Sequence, residues 1–199
     1  VFVMDIINEK IYSWKEIKSF RFPFKLISLK GIVSRLKTGK MLKKTHKLFV
    51  LSQYVKNDLK RVFNVPEEKI EIVTPGVNEF FSGHSKSDKI NPYILYYGGM
   101  IYRKNLKRLI KAFMRIKRYY NIKHRLIICG KGYWSKLFEK KIPEIEFCGK
   151  VNDERLVSLL KGASLFVYPS ISEGLGIPVL EAMNTGVPCA TSNKSPMAE

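Results

Sequence analysis

The chain has 199 residues, 45% of them hydrophobic, and carries 36 Lys and Arg against 17 Asp and Glu, a formal charge of +19. That apolar fraction excludes a disordered tail, and no apolar run approaches the ~20 residues that span a bilayer. The charge favours anionic partners: nucleic acid, an acidic membrane face or a phosphorylated substrate. Cys129, Cys148 and Cys189 are odd in number, widely spaced and set in apolar runs. Such a pattern suits reduced thiols in a cytosol rather than a disulfide framework or a metal site.

Val1 to Met4 reads as the end of a buried strand, followed by Asp5. From Phe24 to Leu42, the residues Leu26, Leu29, Ile32, Val33 and Leu36 recur at helical spacing, with lysines and arginines between them. The pattern predicts a basic amphipathic helix, either packed on a sheet with its charges solvated or laid on an anionic membrane. Leu48 to Leu51 is an expected strand, and Ser52 an N-cap for a helix that places Val55, Leu59, Val62 and Phe63 on one face. Ile70 to Val73 follows as a strand and Pro75-Gly76 as a turn. Turn formers and charges then gather over residues 81–92, which read as a linker between a domain at 1–80 and another at 93–199.

Beyond Pro92 the expected elements alternate. Strands are predicted at Tyr93 to Tyr97, Arg125 to Cys129, Ile145 to Cys148, Leu165 to Tyr168 and Pro188 to Thr191. Helices are predicted at Leu106 to Tyr120, Trp134 to Lys141, Glu154 to Lys161 and Pro178 to Asn184. Alternation at these lengths means a parallel sheet covered on both faces, with ligands outside the carboxyl ends of its strands.

The densest chemistry lies in Ser170-Ile171-Ser172-Glu173-Gly174-Leu175-Gly176-Ile177-Pro178-Val179-Leu180-Glu181-Ala182-Met183. It reads as a loop entering a helix, with Pro178 suited to the helix start. Gly174 and Gly176 let a ligand approach backbone N–H groups that the helix dipole makes attractive to anions. Glu173 and Glu181 bracket that start with seven residues between them.

Those residues, with Gly186-Val187-Pro188, resemble the donor-site signature of the retaining family 4 glycosyltransferases. Further segments are similar in the family's order: Ser52-Gln53-Tyr54, Val65 to Ile70, Pro75 to Asn78, Tyr97 to Leu106, Ile128 to Gly132 and Phe147 to Val151. The resemblance implies an α/β chain of the GT-B type, made of two Rossmann-like parallel-sheet domains, each incomplete in this sequence. It implies an acceptor side at 1–80 and a nucleotide-sugar donor side at 93–199. Met4 stands where family members often carry a His beside the Asp, and Gly99 where they often carry an Arg.

The resemblance further implies a hexosyltransferase acting with retention on a GDP- or UDP-sugar, with a lean towards mannose. The acceptor would be a saccharide or a lipid-linked saccharide in cell-surface polysaccharide or lipopolysaccharide assembly. Arg103 and Lys104 would meet the leaving diphosphate, and preorganised cations facing developing charge are worth on the order of 10² to 10³ in rate each. Glu173 would position the transferred sugar and Glu181 the ribose. The N–H groups of Gly174, Leu175 and Gly176 would complete an anion site, with Gly98 and Gly99 on the same rim and Gly149, Lys150 and Val151 at the base. No Asp-x-Asp pair occurs, so neither a metal nor another cofactor is expected.

Three rival readings differ in chemistry. A dinucleotide oxidoreductase lacks its Gly-x-Gly-x-x-Gly, since Gly130-Lys131-Gly132 has no third glycine, and a nucleoside-triphosphate enzyme lacks its Gly-Lys-Ser/Thr loop. A basic membrane- or nucleic-acid-binding module without catalysis is favoured by charge alone, although nucleic acid is the weaker partner of the two. The expected location is cytoplasmic, with peripheral contact at the inner face of the membrane, and a further reading is a fragment inactive by itself.

Overall fold

The computed structural model describes residues 37–42, 44–83, 90–132, 142–193 and 195–199. The expected helix at Trp134 to Lys141, residues 24–36 of that at Phe24 to Leu42, and Met4 and Asp5 lie outside them. The described chain forms two compact units. The first gathers residues up to Pro75 together with Ser172–Leu175 and Glu199, and the second holds Gly76–Ile171 and Gly176–Ala198.

In the first unit, β1 (Leu48–Val50) pairs in parallel with β2 (Ile70–Ile72), Leu48 opposite Ile70. Between them runs α1 (Gln53–Phe63), capped as its sequence dictates. Ser52 is extended, and its Oγ accepts the Val55 N–H at 3.3 Å. Asn64 closes the helix at φ 51°, a left-handed position that asparagine tolerates. Val55, Leu59 and Phe63 repeat every four residues, so one helical stripe meets Leu48, Val50, Val65 and Ile70 in a single core. Burying each such side chain contributes about 1.5 to 3 kcal/mol.

The second unit is built on five parallel strands in the order β5-β4-β3-β6-β7. They are β3 (Tyr93–Tyr97), β4 (Arg125–Cys129), β5 (Ile145–Gly149), β6 (Leu165–Tyr168) and β7 (Cys189–Thr191). Helices α2 (Leu106–Tyr120), α3 (Asp153–Gly162) and α4 (Ile177–Asn184) intervene. Their apolar runs explain the arrangement. Leu95 and Tyr96 of β3, Leu126 and Ile128 of β4, and Phe166 and Tyr168 of β6 are fully buried, as parallel strands covered on both faces require.

Strand order decides where a ligand goes. The chain steps outward from β3 to β4 and β5, then returns to the other side of β3 for β6 and β7. The reversal falls between β3 and β6, and crevices at such reversals are where open α/β sheets bind ligands.

Of the boundaries that differ from expectation, three have a clear physical cause. Gly149 extends β5 because a register shift at Ile128/Cys129 sets Cys129 opposite Gly149 and leaves Cys148 as the extra residue. Helix α4 starts at Ile177, so Pro178 is its second residue; φ is still preset there and no N–H partner is needed. The break between units falls at Pro75/Gly76, ahead of residues 81–92, because Phe81 is buried in the core of the second unit.

Candidate donor-binding site

Three strand ends of the second unit are tied together by glycine backbone. Gly98 N–H donates to the Cys129 carbonyl at 3.0 Å, Gly130 N–H to the Gly149 carbonyl at 2.6 Å, and Met100 N–H to the Lys131 carbonyl at 3.1 Å. The sheet ladder thus continues past β3, β4 and β5 into the loops. A side chain could not fit at the middle of this rim: a Cβ on Gly130 would lie 1.9 Å from the Gly98 carbonyl oxygen, at φ +135°. Gly99, by contrast, has open space where its Cβ would be. Across the rim Gly149 is left-handed at φ +67°, Lys150 is exposed and Val151 packs at the edge of the core.

At the reversal, the turn after β3 is strapped to the segment after β6. Residues Tyr102–Lys104 make one 3-10 turn, and Asn105 at φ 61° swings the chain into α2. The Arg103 carbonyl accepts the Ile171 N–H at 2.7 Å and the Ser170 hydroxyl at 3.1 Å. Asn105 Nδ2 donates to the Pro169 carbonyl at 3.0 Å, and the Ser192 hydroxyl donates to the Ser170 carbonyl at 2.6 Å. Lys104 is buried; its ammonium donates to the Tyr168 hydroxyl and lies 4.8 Å from the centroid of that ring. The Arg-Lys dipeptide is therefore divided: its lysine is fixed within the fold, and its arginine is half-exposed.

Gly176 caps α4 from a left-handed conformation at φ 90°, and the Val179 N–H returns to its carbonyl at 2.8 Å. A Cβ there would press on Met197 at 3.0 Å. Glu181 lies in the second turn, half-buried, with no hydrogen bond or ion pair to its carboxylate among the described residues. Burial raises its pKa above the ordinary carboxylate range. Such a group is poised to accept hydrogen bonds from hydroxyls.

The remaining bracket residues, Glu173, Gly174 and Leu175, group with the first unit. Glu173 and Gly174 are buried there, and the Gly174 carbonyl accepts the Ser52 hydroxyl at 2.7 Å. Ser52 thus serves as helix cap and loop anchor together. Sequence reasoning assigned it the cap alone; it placed Tyr168 in a strand and Ser170 in the loop without partners for either, and it missed Ser192. A Tyr at the end of a buried strand, followed by Pro169-Ser170, was the available signal for a polar terminus.

All three cysteines are free; Cys129 is buried and its thiol is pushed up to about 12, chiefly by desolvation. Among the described residues, no three His, Cys, Asp or Glu side chains gather as a metal site, and no helix is long and apolar enough to cross a membrane.

Comparison with known proteins follows this geometry. The chain is 30% identical over 169 residues to the O-antigen chain mannosyltransferase B of Escherichia coli, covering 76% of this chain and 44% of that protein. It is 29% identical over 186 residues to the O-antigen chain mannosyltransferase RfbU of Salmonella typhimurium, covering 89% and 50%. The chain therefore spans about half the length of the curated relatives it matches. Among solved structures, HepE of Anabaena in complex with UDP-glucose superposes with a TM-score of 0.73 at 15% identity, over 99% of this chain and 54% of that one. This neighbour shares the GT-B fold expected from the sequence. The family described as glycosyl transferases group 1 matches residues 77–199, and to this family the chain belongs.

Proposed function

We propose that this chain carries the donor-binding part of a retaining glycosyltransferase, which moves a hexose, mannose by preference, from a nucleotide sugar to a saccharide or lipid-linked acceptor. The observation that carries this reading is Glu181: a half-buried carboxylate without a partner among the described residues, on the helix that follows the glycine-capped turn at Gly176. A ribose supplies the hydroxyl donors that such a group lacks. The unit that starts at Gly76 then belongs to the donor side and the chain up to Pro75 to the acceptor side.

The roles follow from charge. As the glycosidic bond breaks, electrons pass to the diphosphate, and Arg103 and Lys104 offset the growing negative charge. Lys104 comes preset by Tyr168; Arg103 reaches from a turn whose carbonyl is held at two points. The N–H groups of Gly174, Leu175 and Gly176 offer anion contacts, and Glu173 holds hydroxyls of the sugar. Gly98 and Gly99 allow close approach, while Gly149, Lys150 and Val151 meet the base. The mannosyltransferase relatives favour mannose as the sugar moved; its donor in this reading is a GDP-sugar, and the UDP-glucose neighbour keeps a UDP-sugar as the alternative. The O-antigen relatives support a role in surface polysaccharide assembly, and the reading puts that work at the cytoplasmic side of a membrane.

The test is calorimetric titration with GDP, UDP, GDP-mannose and UDP-glucose. It is repeated on Glu181→Gln and on Arg103→Ala combined with Lys104→Ala. Selective nucleotide binding that weakens at least tenfold in both variants is the expected result. A folded chain that binds no nucleotide, or variants that bind as well as the parent, would overturn the assignment.

A further inference from the structure

We infer that the outer face of α2 is a docking surface for an anionic phospholipid bilayer. This goes beyond the donor site and differs from the membrane contact expected at Phe24 to Leu42. Helix α2 reads LKRLIKAFMRIKRYY, with no acidic residue. Leu106, Leu109, Ile110 and Phe113 face the core. On the opposite side Arg108, Lys111, Arg115 and Arg118 are exposed at spacings of three and four residues, one continuous stripe of like charge. None of the four forms an ion pair among the described residues. Like charges at these spacings weaken a helix, so the stripe does nothing for the fold.

Apolar groups stand at one end of that stripe. Ile116, Tyr119 and Tyr120 are 42%, 69% and 77% exposed, and Arg115 lies 5.7 Å from the Tyr119 ring centroid. The helix end is held by other means: Lys117 Nζ donates to the Ile122 carbonyl at 2.7 Å, and Asn121 closes it in a left-handed conformation. Tyr119 and Tyr120 are thus free of capping duty. Cations beside exposed tyrosines and an aliphatic side chain match the headgroup boundary of a bilayer, where phosphates meet acyl chains. Nucleic acid explains the cations and the tyrosines but gives the exposed Ile116 nothing to stack on.

Each basic residue near an anionic surface changes partition by roughly fivefold. Arg108→Gln, Lys111→Gln, Arg115→Gln and Arg118→Gln together are therefore expected to lower sedimentation with phosphatidylglycerol-containing vesicles by on the order of a hundredfold or more. Phosphatidylcholine vesicles serve as the uncharged reference and a thermal melt as the check on folding. Removing repulsion from an exposed face should leave the melt unchanged or raised. A second variant, Tyr119→Ser with Tyr120→Ser, should weaken binding by a factor that persists at high salt, since apolar insertion is not screened. A control neutralises Lys30, Lys37, Lys40 and Lys44 to glutamine, for the same change in net charge.

Loss in the α2 variant that exceeds loss in the control supports the surface. Equal loss in both, loss in the control alone, equal binding to the two vesicle types, or binding to a single-stranded oligonucleotide without binding to vesicles overturns it.

Discussion

Lys104 donates to the hydroxyl of Tyr168 while sitting 4.8 Å from the centroid of the same ring, so a residue at the end of β6 holds the cation that follows β3. A buried ammonium needs such partners, because desolvation otherwise drives it to lose its proton. We predict that Tyr168→Phe, which keeps the ring and removes the hydroxyl, destabilises the fold by about 1.5 to 3 kcal/mol, the range for hydrogen bonds to charged groups. Urea unfolding measures it. Nucleotide affinity should fall as well, since the lysine loses a contact that orients its ammonium. An unfolding midpoint equal to the parent's would mean that the hydroxyl does not hold Lys104.

Ser52 makes two hydrogen bonds with one hydroxyl: it accepts from Val55 N–H and donates to the Gly174 carbonyl, 122 residues away. Ser52→Ala removes a helix cap and strands a buried carbonyl. Loss of a cap costs about 0.5 to 2 kcal/mol, and an unsatisfied buried acceptor about 1 to 3 kcal/mol. The expected sum is about 1.5 to 5 kcal/mol by denaturant titration, towards the lower end where water reaches the carbonyl. Ser52→Thr, which keeps the hydroxyl, should recover most of it. If threonine fails and glycine succeeds, backbone conformation rather than the hydroxyl matters at this position.

Local order was legible where a short-range rule fixes it. The alternation of apolar strands with amphipathic helices gave β3, α2, β4 and β6 to the residue, because periodicity and helix stops act over a few positions. Gly98 reads from the sequence as a rim residue and Gly149 as one beside the base, and the positive φ angles at 98, 130 and 149 follow from backbones meeting side by side. Long-range partners were not legible. Nothing near Lys104 announces Tyr168, and nothing near Ser52 announces Gly174, because strand order alone brings such residues together. The Cys148 bulge escaped for the same reason, since register belongs to two strands rather than one.

Two glycines of the rim separate packing from binding. At Gly130 a methyl group would meet the Gly98 carbonyl at 1.9 Å and would force φ +135° on an alanine. We predict that Gly130→Ala costs about 3 kcal/mol or more, from combined strain and overpacking. Gly99→Ala meets no atom within 4 Å and should leave stability nearly unchanged. Any loss of nucleotide affinity in Gly99→Ala then reports ligand contact directly, free of folding effects. Thermal melts paired with titration check both. A melt of Gly130→Ala matching the parent's would show that the strand ends can separate.

Glu181 sets function against stability. Burial raises its pKa, so the folded chain binds this proton more tightly than the unfolded chain, whose value is the ordinary one near 4.5. The sign follows from linkage: protonation favours the folded state below that value, and the advantage is lost as pH rises through the elevated folded pKa. At neutral pH the ionised carboxylate therefore costs stability. We predict that Glu181→Gln raises the melting temperature at pH 7 and that the gain disappears in acid, where the parent is itself protonated. Donor binding should move the opposite way, weakening in the variant at pH 7, because a neutral amide is a poorer acceptor for ribose hydroxyls than a carboxylate. Melts across pH, with and without nucleotide, read both effects in one series. A variant that is less stable at pH 7 would show that Glu181 has a protein partner and serves the fold, and the donor-site role would then fall with it.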